Sequence, residues 1–145
     1  QEGTDILIMG RTDANHTHGL EEAIHRGKQY QEIGADIIFI EAPKTVEEME
    51  TICREVPGCH MANIVEGGVT PNLSMEQLQD VGFQFAAYPL TLLAASMQAM
   101  KQTLKLMRQD LPRANHLMDF EELRDRIGFN EYYETSQVYE TSRRS

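Results

Sequence analysis

The sequence has few basic residues and no long apolar run. Lys and Arg number 13 against 23 Asp and Glu, which gives a formal net charge of −10 over 145 residues. A nucleic-acid-binding surface needs clustered Lys and Arg, so we expect no nucleic-acid partner. A membrane span needs about 20 consecutive apolar residues, and no stretch of the sequence approaches that length. We therefore expect no membrane partner.

Cysteine is also scarce. Cys53 and Cys59 lie six residues apart, outside any CxxC motif. This pattern favours free thiols in a reducing compartment, and no signal-peptide pattern is found, so we predict a cytoplasmic protein. The first residues include no initiator methionine, and we expect the sequence to begin inside a longer gene product.

Several catalytic motifs are missing. The sequence contains no GxGxxG, GxxxxGK[ST] or GxSxG motif. Phosphate binding by a glycine-rich loop and Ser-His-Asp hydrolysis therefore have no support. His16 and His18 form an HxH pair, but a metal site needs further ligands that the spacing does not supply, and we interpret both as solvated.

What the sequence does have is a fourfold alternation of strand and helix. Strands are predicted at 5–10, 36–40, 59–62 and 83–88, and helices at 20–33, 45–56, 74–81 and 91–108. The second and third of these helices begin at capping boxes, residues 45–48 (TVEE) and 74–77 (SMEQ). The first two strands are continuous apolar runs, typical of strands buried on both faces. Such alternation predicts an α/β fold with parallel strands and right-handed crossovers. We assign residues 1–110 to four βα units and residues 111–145 to a helical tail.

The longest predicted helix, 91–108, carries an apolar stripe at steps of four and three residues, formed by Leu93, Met97, Met100, Leu104 and Met107. Such a stripe is typical of a helix face that packs into a core. We predict that it is buried.

Polar side chains follow the first three predicted strands. Arg11 and Asp13 come after the first, Glu41 after the second and Asn63 after the third. In parallel α/β folds these ends share the face where ligands bind. An arginine beside carboxylates and an amide favours a small polar substrate.

Each of these residues has a functional and a structural interpretation. Arg11 either anchors an anion through its planar fork or pairs with Glu41, and both can hold in one site. Asp13 either orients Arg11 or caps a helix. Glu41 either accepts a hydrogen bond from a substrate hydroxyl, or acts as acid or base if burial raises its pKa, or only pairs with Arg11. Asn63 either binds a second carboxylate or bonds to loop backbone.

Six segments together resemble the isocitrate lyase/phosphoenolpyruvate mutase superfamily. They are residues 8–14 (IMGRTDA), 19–24 (GLEEAI), 34–36 (GAD), 39–42 (FIEA), 62–68 (ANIVEGG) and 88–90 (YPL). The resemblance implies a (β/α)8 TIM barrel with Mg²⁺ and a small dicarboxylate at its carboxyl face. It implies substrate contacts for Arg11, Glu41 and Asn63. We add Asp13 and Pro89 to this predicted substrate-binding set. Hydrolases of the family tend to carry serine at the position of Pro89, so this proline favours a lyase or mutase.

The resemblance covers the second half of the barrel, strands five to eight with tail helices. In the family the metal-binding aspartates and the loop with the catalytic cysteine belong to the first half, so we assign no catalytic residue and no metal ligand here. Mg²⁺ ligands are expected from that first half. A half barrel has two open sheet edges, which favour pairing with another chain. The family usually forms tetramers, so we expect a homo-oligomer or pairing with another half barrel.

Our leading hypothesis is a Mg²⁺-dependent carbon–carbon lyase acting, through an enolpyruvate intermediate, on a small 2-hydroxy or 2-oxo dicarboxylate, either 2-alkylmalate-like or methylisocitrate-like. One alternative is a phosphoenolpyruvate or carboxyphosphonoenolpyruvate mutase, or an oxaloacetate-acting member. Another is a non-catalytic half-barrel assembly module. A flavodoxin-like open α/β binding domain is a more distant alternative.

Overall fold

A four-stranded parallel sheet forms the centre of the chain. The computed structural model describes residues 5–142. The strands β1 (Met9–Thr12), β2 (Ile37–Ile40), β3 (Cys59–Asn63) and β4 (Phe85–Ala87) lie side by side in chain order, and each neighbouring pair is parallel. The predicted α/β alternation with parallel strands is confirmed.

Helices follow every strand. Helices α1 (Ala14–Thr17) and α2 (Leu20–Glu32) lie between β1 and β2, and α3 (Val46–Glu55), α4 (Met75–Val81) and α5 (Thr91–Arg108) follow the next three strands. The side chain of Thr45 caps α3 by accepting from the Glu48 amide, and Ser74 and Gln77 form a reciprocal capping box on α4. Both helix starts were predicted from these residues.

The core lies between the sheet and helices α2, α3 and α4. It has two clusters of buried apolar side chains. The first includes Ala23, Ile38, Ile40, Ile52 and Val56, and the second Met49, Ala62, Ile64, Leu78 and Phe83. These clusters fix the direction of the strands and so the place where their carboxyl ends meet.

Two features of the first strand differ from the prediction. It runs over Met9–Thr12 instead of 5–10, so Arg11 lies inside the strand and not beyond its end. The apolar run before it is exposed, with Ile6 and Leu7 exposed by 67% and 65%. The reason is that β1 is an edge strand, paired only with β2 in the described part of the chain.

The chain packs as two compact units, the second of which begins at Ser96 within α5. The second unit continues with a 3₁₀ turn (Ala114–His116), α6 (Phe120–Arg126) and α7 (Phe129–Ser142). Asp119 caps α6 by accepting from the amides of Glu121 and Glu122.

The prediction of a buried stripe on α5 is wrong. Its side chains are more than half exposed: Leu93 57%, Met97 60%, Met100 57%, Leu104 64% and Met107 53%. Helical periodicity identifies an apolar face but not the surface that covers it. Among residues 5–142, no helix has the length and apolar character needed to cross a membrane.

Candidate functional site

Arg11 and Asp13 form a two-point ion pair at the carboxyl edge of β1. Nε of Arg11 donates to Oδ2 of Asp13 at 3.1 Å, and Nη2 donates to Oδ1 at 2.9 Å. The Asp13 side chain makes no capping hydrogen bond to α1. Of the two interpretations of Asp13, the structure therefore shows the one in which it orients Arg11.

Glu41 joins this pair from the end of β2. Its backbone N–H donates to the carbonyl of Thr12 at 3.0 Å, and its Oε2 lies 3.3 Å from Nη2 of Arg11. The Glu41 side chain is only 21% exposed, against 51% for Arg11. The ion pair between Arg11 and Glu41 anticipated from the sequence is therefore present, and Arg11 still faces solvent.

Asn63, the last residue of β3, completes the cluster. Its Nδ2 lies 3.4 Å from both carboxylate oxygens of Glu41, at the long end of hydrogen bonding. Side chains from three neighbouring strands therefore meet at one sheet edge, as the topology predicted. We call Arg11, Asp13, Glu41 and Asn63 the strand-end cluster.

Two aromatic residues that sequence reasoning did not assign to the site support Arg11. The guanidinium carbon lies 4.8 Å from the centroid of the buried Phe39 ring, a cation–π contact. The hydroxyl of Tyr30 donates to the Arg11 carbonyl at 3.1 Å. The Phe39 contact follows from the register that pairs Phe39 with Arg11, because paired residues on parallel strands share a face. The sequence carried no signal for it, since it predicted that the first strand ends before Arg11.

The ion pair sets the charge states of Arg11 and Asp13. The hydrogen bond from Arg11 holds the pKa of Asp13 below its ordinary value, and the same bond raises the pKa of Arg11. Both groups therefore stay charged near neutral pH. Among the described residues, Nη1 of Arg11 donates no hydrogen bond, so this nitrogen can bind an incoming carboxylate.

The remaining polar groups of the same edge are engaged elsewhere. Glu66, in the loop after β3, accepts from Oγ1 of Thr91 at 2.7 and 2.9 Å, and this bond lowers the pKa of Glu66. Pro89 is exposed in the turn after β4, two residues beyond Ala87, which is the register partner of Asn63. The proposed substrate contact of Pro89 stays a prediction.

The cluster does not fit a divalent metal ion. Asp13 and Glu41 both face the Arg11 guanidinium, whose positive charge would repel a cation held between them. Within residues 5–142, no group of three or more His, Cys, Asp or Glu side chains could hold a metal. His16 and His18 are both exposed.

Several known proteins with a similar sequence are named as lyases. The chain is 39% identical over 142 residues to 2,3-dimethylmalate lyase of Eubacterium barkeri, a match that covers 96% of this chain and 49% of that enzyme. It is 35% identical over 131 residues to 2-methylisocitrate lyase of Aeropyrum pernix, covering 88% of this chain and 42% of the enzyme. The chain thus spans about half the length of these relatives.

The fold agrees with the sequence match. A crystal structure of 2,3-dimethylmalate lyase, a PEP mutase/isocitrate lyase superfamily member, superposes with a TM-score of 0.81 at 28% identity, over 95% of this chain and 49% of that one. The four βα units thus match about half of a TIM-barrel enzyme. The family model described as phosphoenolpyruvate phosphomutase matches residues 1–108. The chain therefore belongs to the phosphoenolpyruvate phosphomutase family, within the PEP mutase/isocitrate lyase superfamily.

Proposed function

We propose that this chain supplies the carboxylate-binding part of a carbon–carbon lyase that acts on a small 2-hydroxy or 2-oxo dicarboxylate such as a 2-alkylmalate. One observation carries the proposal. Arg11 is oriented by Asp13, supported by Phe39 and half exposed, so that it presents a fixed fork at the edge where ligands bind in parallel α/β folds. One relative is named as a lyase of 2,3-dimethylmalate, which belongs to this chemical class, and another as a lyase of the tricarboxylate 2-methylisocitrate.

The cluster suits a cleavage in which a hydroxyl carbon becomes a carbonyl. In a 2-alkylmalate, the C2 hydroxyl gives its proton to a general base, the C2–C3 bond breaks, and the electron pair moves onto C3 and its carboxylate. The enolate thus forms on the departing carboxylic acid, and not as the enolpyruvate that the family resemblance implies. Protonation of C3 then yields a carboxylic acid and a 2-oxo acid. Arg11 would bind a substrate carboxylate, while Glu41 and Asn63 would hydrogen-bond to the hydroxyl and to the other carboxylate.

We further propose that the reaction depends on Mg²⁺ and takes place in the cytoplasm. Because the strand-end cluster does not fit a cation, the Mg²⁺ ligands would come from groups other than those described, and the residues of this chain would bind and orient the substrate. Both cysteines are free thiols, which suits a reducing compartment.

The proposal is tested with a fusion enzyme. This chain is joined to the part of the Eubacterium barkeri lyase that lies outside the matched region, so that the two parts together have the length of the relative. With Mg²⁺ and 2,3-dimethylmalate, we expect release of a 2-oxo acid, measured by a coupled dehydrogenase assay. A folded fusion enzyme that releases none from this or other 2-alkylmalates would contradict the proposal.

Two neighbouring activities remain alternatives within the family. The family model is that of a phosphomutase, so a mutase acting on a phosphonate or carboxyphosphonate is the first, and an oxaloacetate-acting enzyme is the second. The same fusion enzyme separates them: ³¹P NMR follows rearrangement of a phosphonate, and loss of ultraviolet absorbance follows oxaloacetate. A rate on either compound above the rate on 2-alkylmalates would favour that alternative.

A non-catalytic assembly module is a second candidate function, and the first strand favours it. The segment just before the edge strand β1, together with its first residue, carries four apolar side chains that are between 42% and 67% exposed: Ile6, Leu7, Ile8 and Met9. An open apolar strand edge is a template for pairing with another chain. We propose that a second copy of this chain, or another half barrel, pairs along this edge. Such pairing is compatible with catalysis by the resulting assembly.

A further inference from the structure

The segment that follows Glu41 has an unusual backbone conformation. Ala42 has a φ of +55°, which places it in the left-handed region. Residues other than glycine rarely adopt this region, because Cβ lies too close to the following carbonyl oxygen. Some contact must therefore keep Ala42 in place directly after a residue of the strand-end cluster.

Asn15 makes that contact from the short helix α1, which follows β1. Its side-chain Nδ2 donates to the Ala42 carbonyl at 2.9 Å and to Oε2 of Glu48 at 3.3 Å. The same Oε2 accepts from the backbone N–H of Lys44 at 2.7 Å. Asn15 is 3% exposed, so the two bonds that it donates are partly shielded from competing water, whereas the Lys44 bond is exposed. Together they fix both ends of the segment from Ala42 to Lys44.

Asn15 itself is held in place by the turn that precedes it. Thr12, which is 3% exposed, accepts from the Ala14 amide through Oγ1 at 3.1 Å, and this turn starts α1, where Asn15 is the second residue. The carbonyl of Thr12 also accepts from the Glu41 amide at 3.0 Å. One short stretch of chain thus fixes Glu41 on its N-terminal side and Ala42 on its C-terminal side.

We infer that Asn15 is a positioning residue, which sets the place of the Glu41 carboxylate between Arg11 and Asn63 by holding Ala42 in the left-handed conformation. The effect of this positioning on substrate binding rests on the function proposed above. The placement of Glu41 is a property of this chain alone and is measurable without any activity.

The reporter is the side-chain amide of Asn63, whose Nδ2 lies 3.4 Å from the Glu41 oxygens. In ¹H–¹⁵N spectra of the 145-residue chain, we expect Asn15→Ala to shift the Asn63 side-chain cross-peaks. Adding Ala42→Gly should return them toward their wild-type positions, because glycine adopts positive φ without a Cβ penalty. The control is Asn72→Ala, an exposed asparagine in the loop before α4, which should leave these cross-peaks in place.

The outcomes of this experiment distinguish positioning of Glu41 by Asn15 from a purely structural role of Asn15. Unchanged Asn63 cross-peaks in folded Asn15→Ala, or a shift that Ala42→Gly does not reverse, would overturn the inference. If Asn15→Ala does not fold, Ala42→Val takes its place, since a β-branched residue disfavours positive φ while Asn15 stays intact. That variant should shift the same cross-peaks, and an absence of shift would overturn the inference equally.

The fusion enzyme then links placement to catalysis. We expect kcat/KM on 2,3-dimethylmalate to fall in Asn15→Ala and to recover in part in Asn15→Ala/Ala42→Gly, although the second change need not restore thermal stability. A fusion enzyme that is inactive even with the wild-type sequence, together with the expected cross-peak shifts, would reject the proposed function and leave the positioning of Glu41 established.

Discussion

The guanidinium of Arg11 lies over the ring of Phe39, with 4.8 Å between its central carbon and the ring centroid, and the two residues are register partners on β1 and β2. The ring supports one face of the guanidinium, and Asp13 engages one of its edges. The side chain is still 51% exposed. Arg11 is thus pre-oriented and accessible, which lowers the entropy cost of binding a carboxylate.

The close approach of Tyr30 to β1 predicts that Gly10→Ala is destabilising. A Cβ at Gly10 would lie 2.8 Å from two atoms of the Tyr30 ring, closer than carbon atoms can pack. We expect the free energy of unfolding to fall by about 1–3 kcal/mol, the usual cost of overpacking, as measured by urea denaturation.

A milder variant serves as the control for this packing. Tyr30→Phe removes only the hydroxyl that donates to the Arg11 carbonyl, so it should cost about 1 kcal/mol. A Gly10→Ala protein as stable as wild type would show that Tyr30 does not pack on β1 in solution.

The lowered pKa of Asp13 predicts an acid-dependent loss of stability. Because its folded pKa lies below the value of about 3.9 expected in an unfolded chain, its ionised form stabilises the fold above that pH, and this contribution disappears as the pH falls through the folded pKa. Asp13→Asn should therefore be less stable than wild type at pH 6, by under about 1 kcal/mol since both partners are exposed. The difference should shrink below pH 4.

Unfolding at a series of pH values measures this effect. Asp80→Asn, which makes the same charge change at an exposed position in α4, is the matched control. A stability difference for Asp13→Asn that stays constant from pH 6 to pH 3 would mean that the ion pair with Arg11 contributes nothing.

The sequence was sufficient where local rules decide the structure. The capping residues Thr45 and Ser74 fixed where helices begin, and the strand–helix alternation predicted a parallel sheet. That topology alone was enough to bring Arg11, Glu41 and Asn63 to one edge, because parallel strands end on the same side.

Contacts between distant segments were not predictable in the same way. Asn15 reads as an ordinary loop asparagine, and its bond to Ala42 spans 27 residues. Likewise, the apolar face of α5 and the apolar run before β1 were predicted to be buried, but both are exposed. A pattern of apolar side chains does not show which surface, if any, packs against it. The actual position of Arg11 inside β1 follows from pairing with β2, which composition does not specify.

The exposed edge of β1 predicts self-association that a charge should weaken. Leu7, in the apolar segment just before β1, is 65% exposed, and a lysine at the edge of a sheet opposes pairing with another strand. We expect Leu7→Lys to lower the mass measured by light scattering relative to wild type. Val69→Lys, a change at a 61% exposed apolar residue in the loop after β3, should leave the mass unchanged. A monomeric wild-type chain would contradict the assembly proposal.

The most direct test of the account is kcat/KM of the fusion enzyme with Arg11→Ala. We predict a loss of several orders of magnitude in 2-oxo acid release from 2,3-dimethylmalate, with Arg11→Lys also impaired because lysine lacks the planar fork. Arg54→Ala, the same change at an exposed arginine of α3, should retain activity. A loss below about tenfold for Arg11→Ala, equivalent to only ~1.4 kcal/mol, would contradict the assignment of Arg11 as the carboxylate anchor.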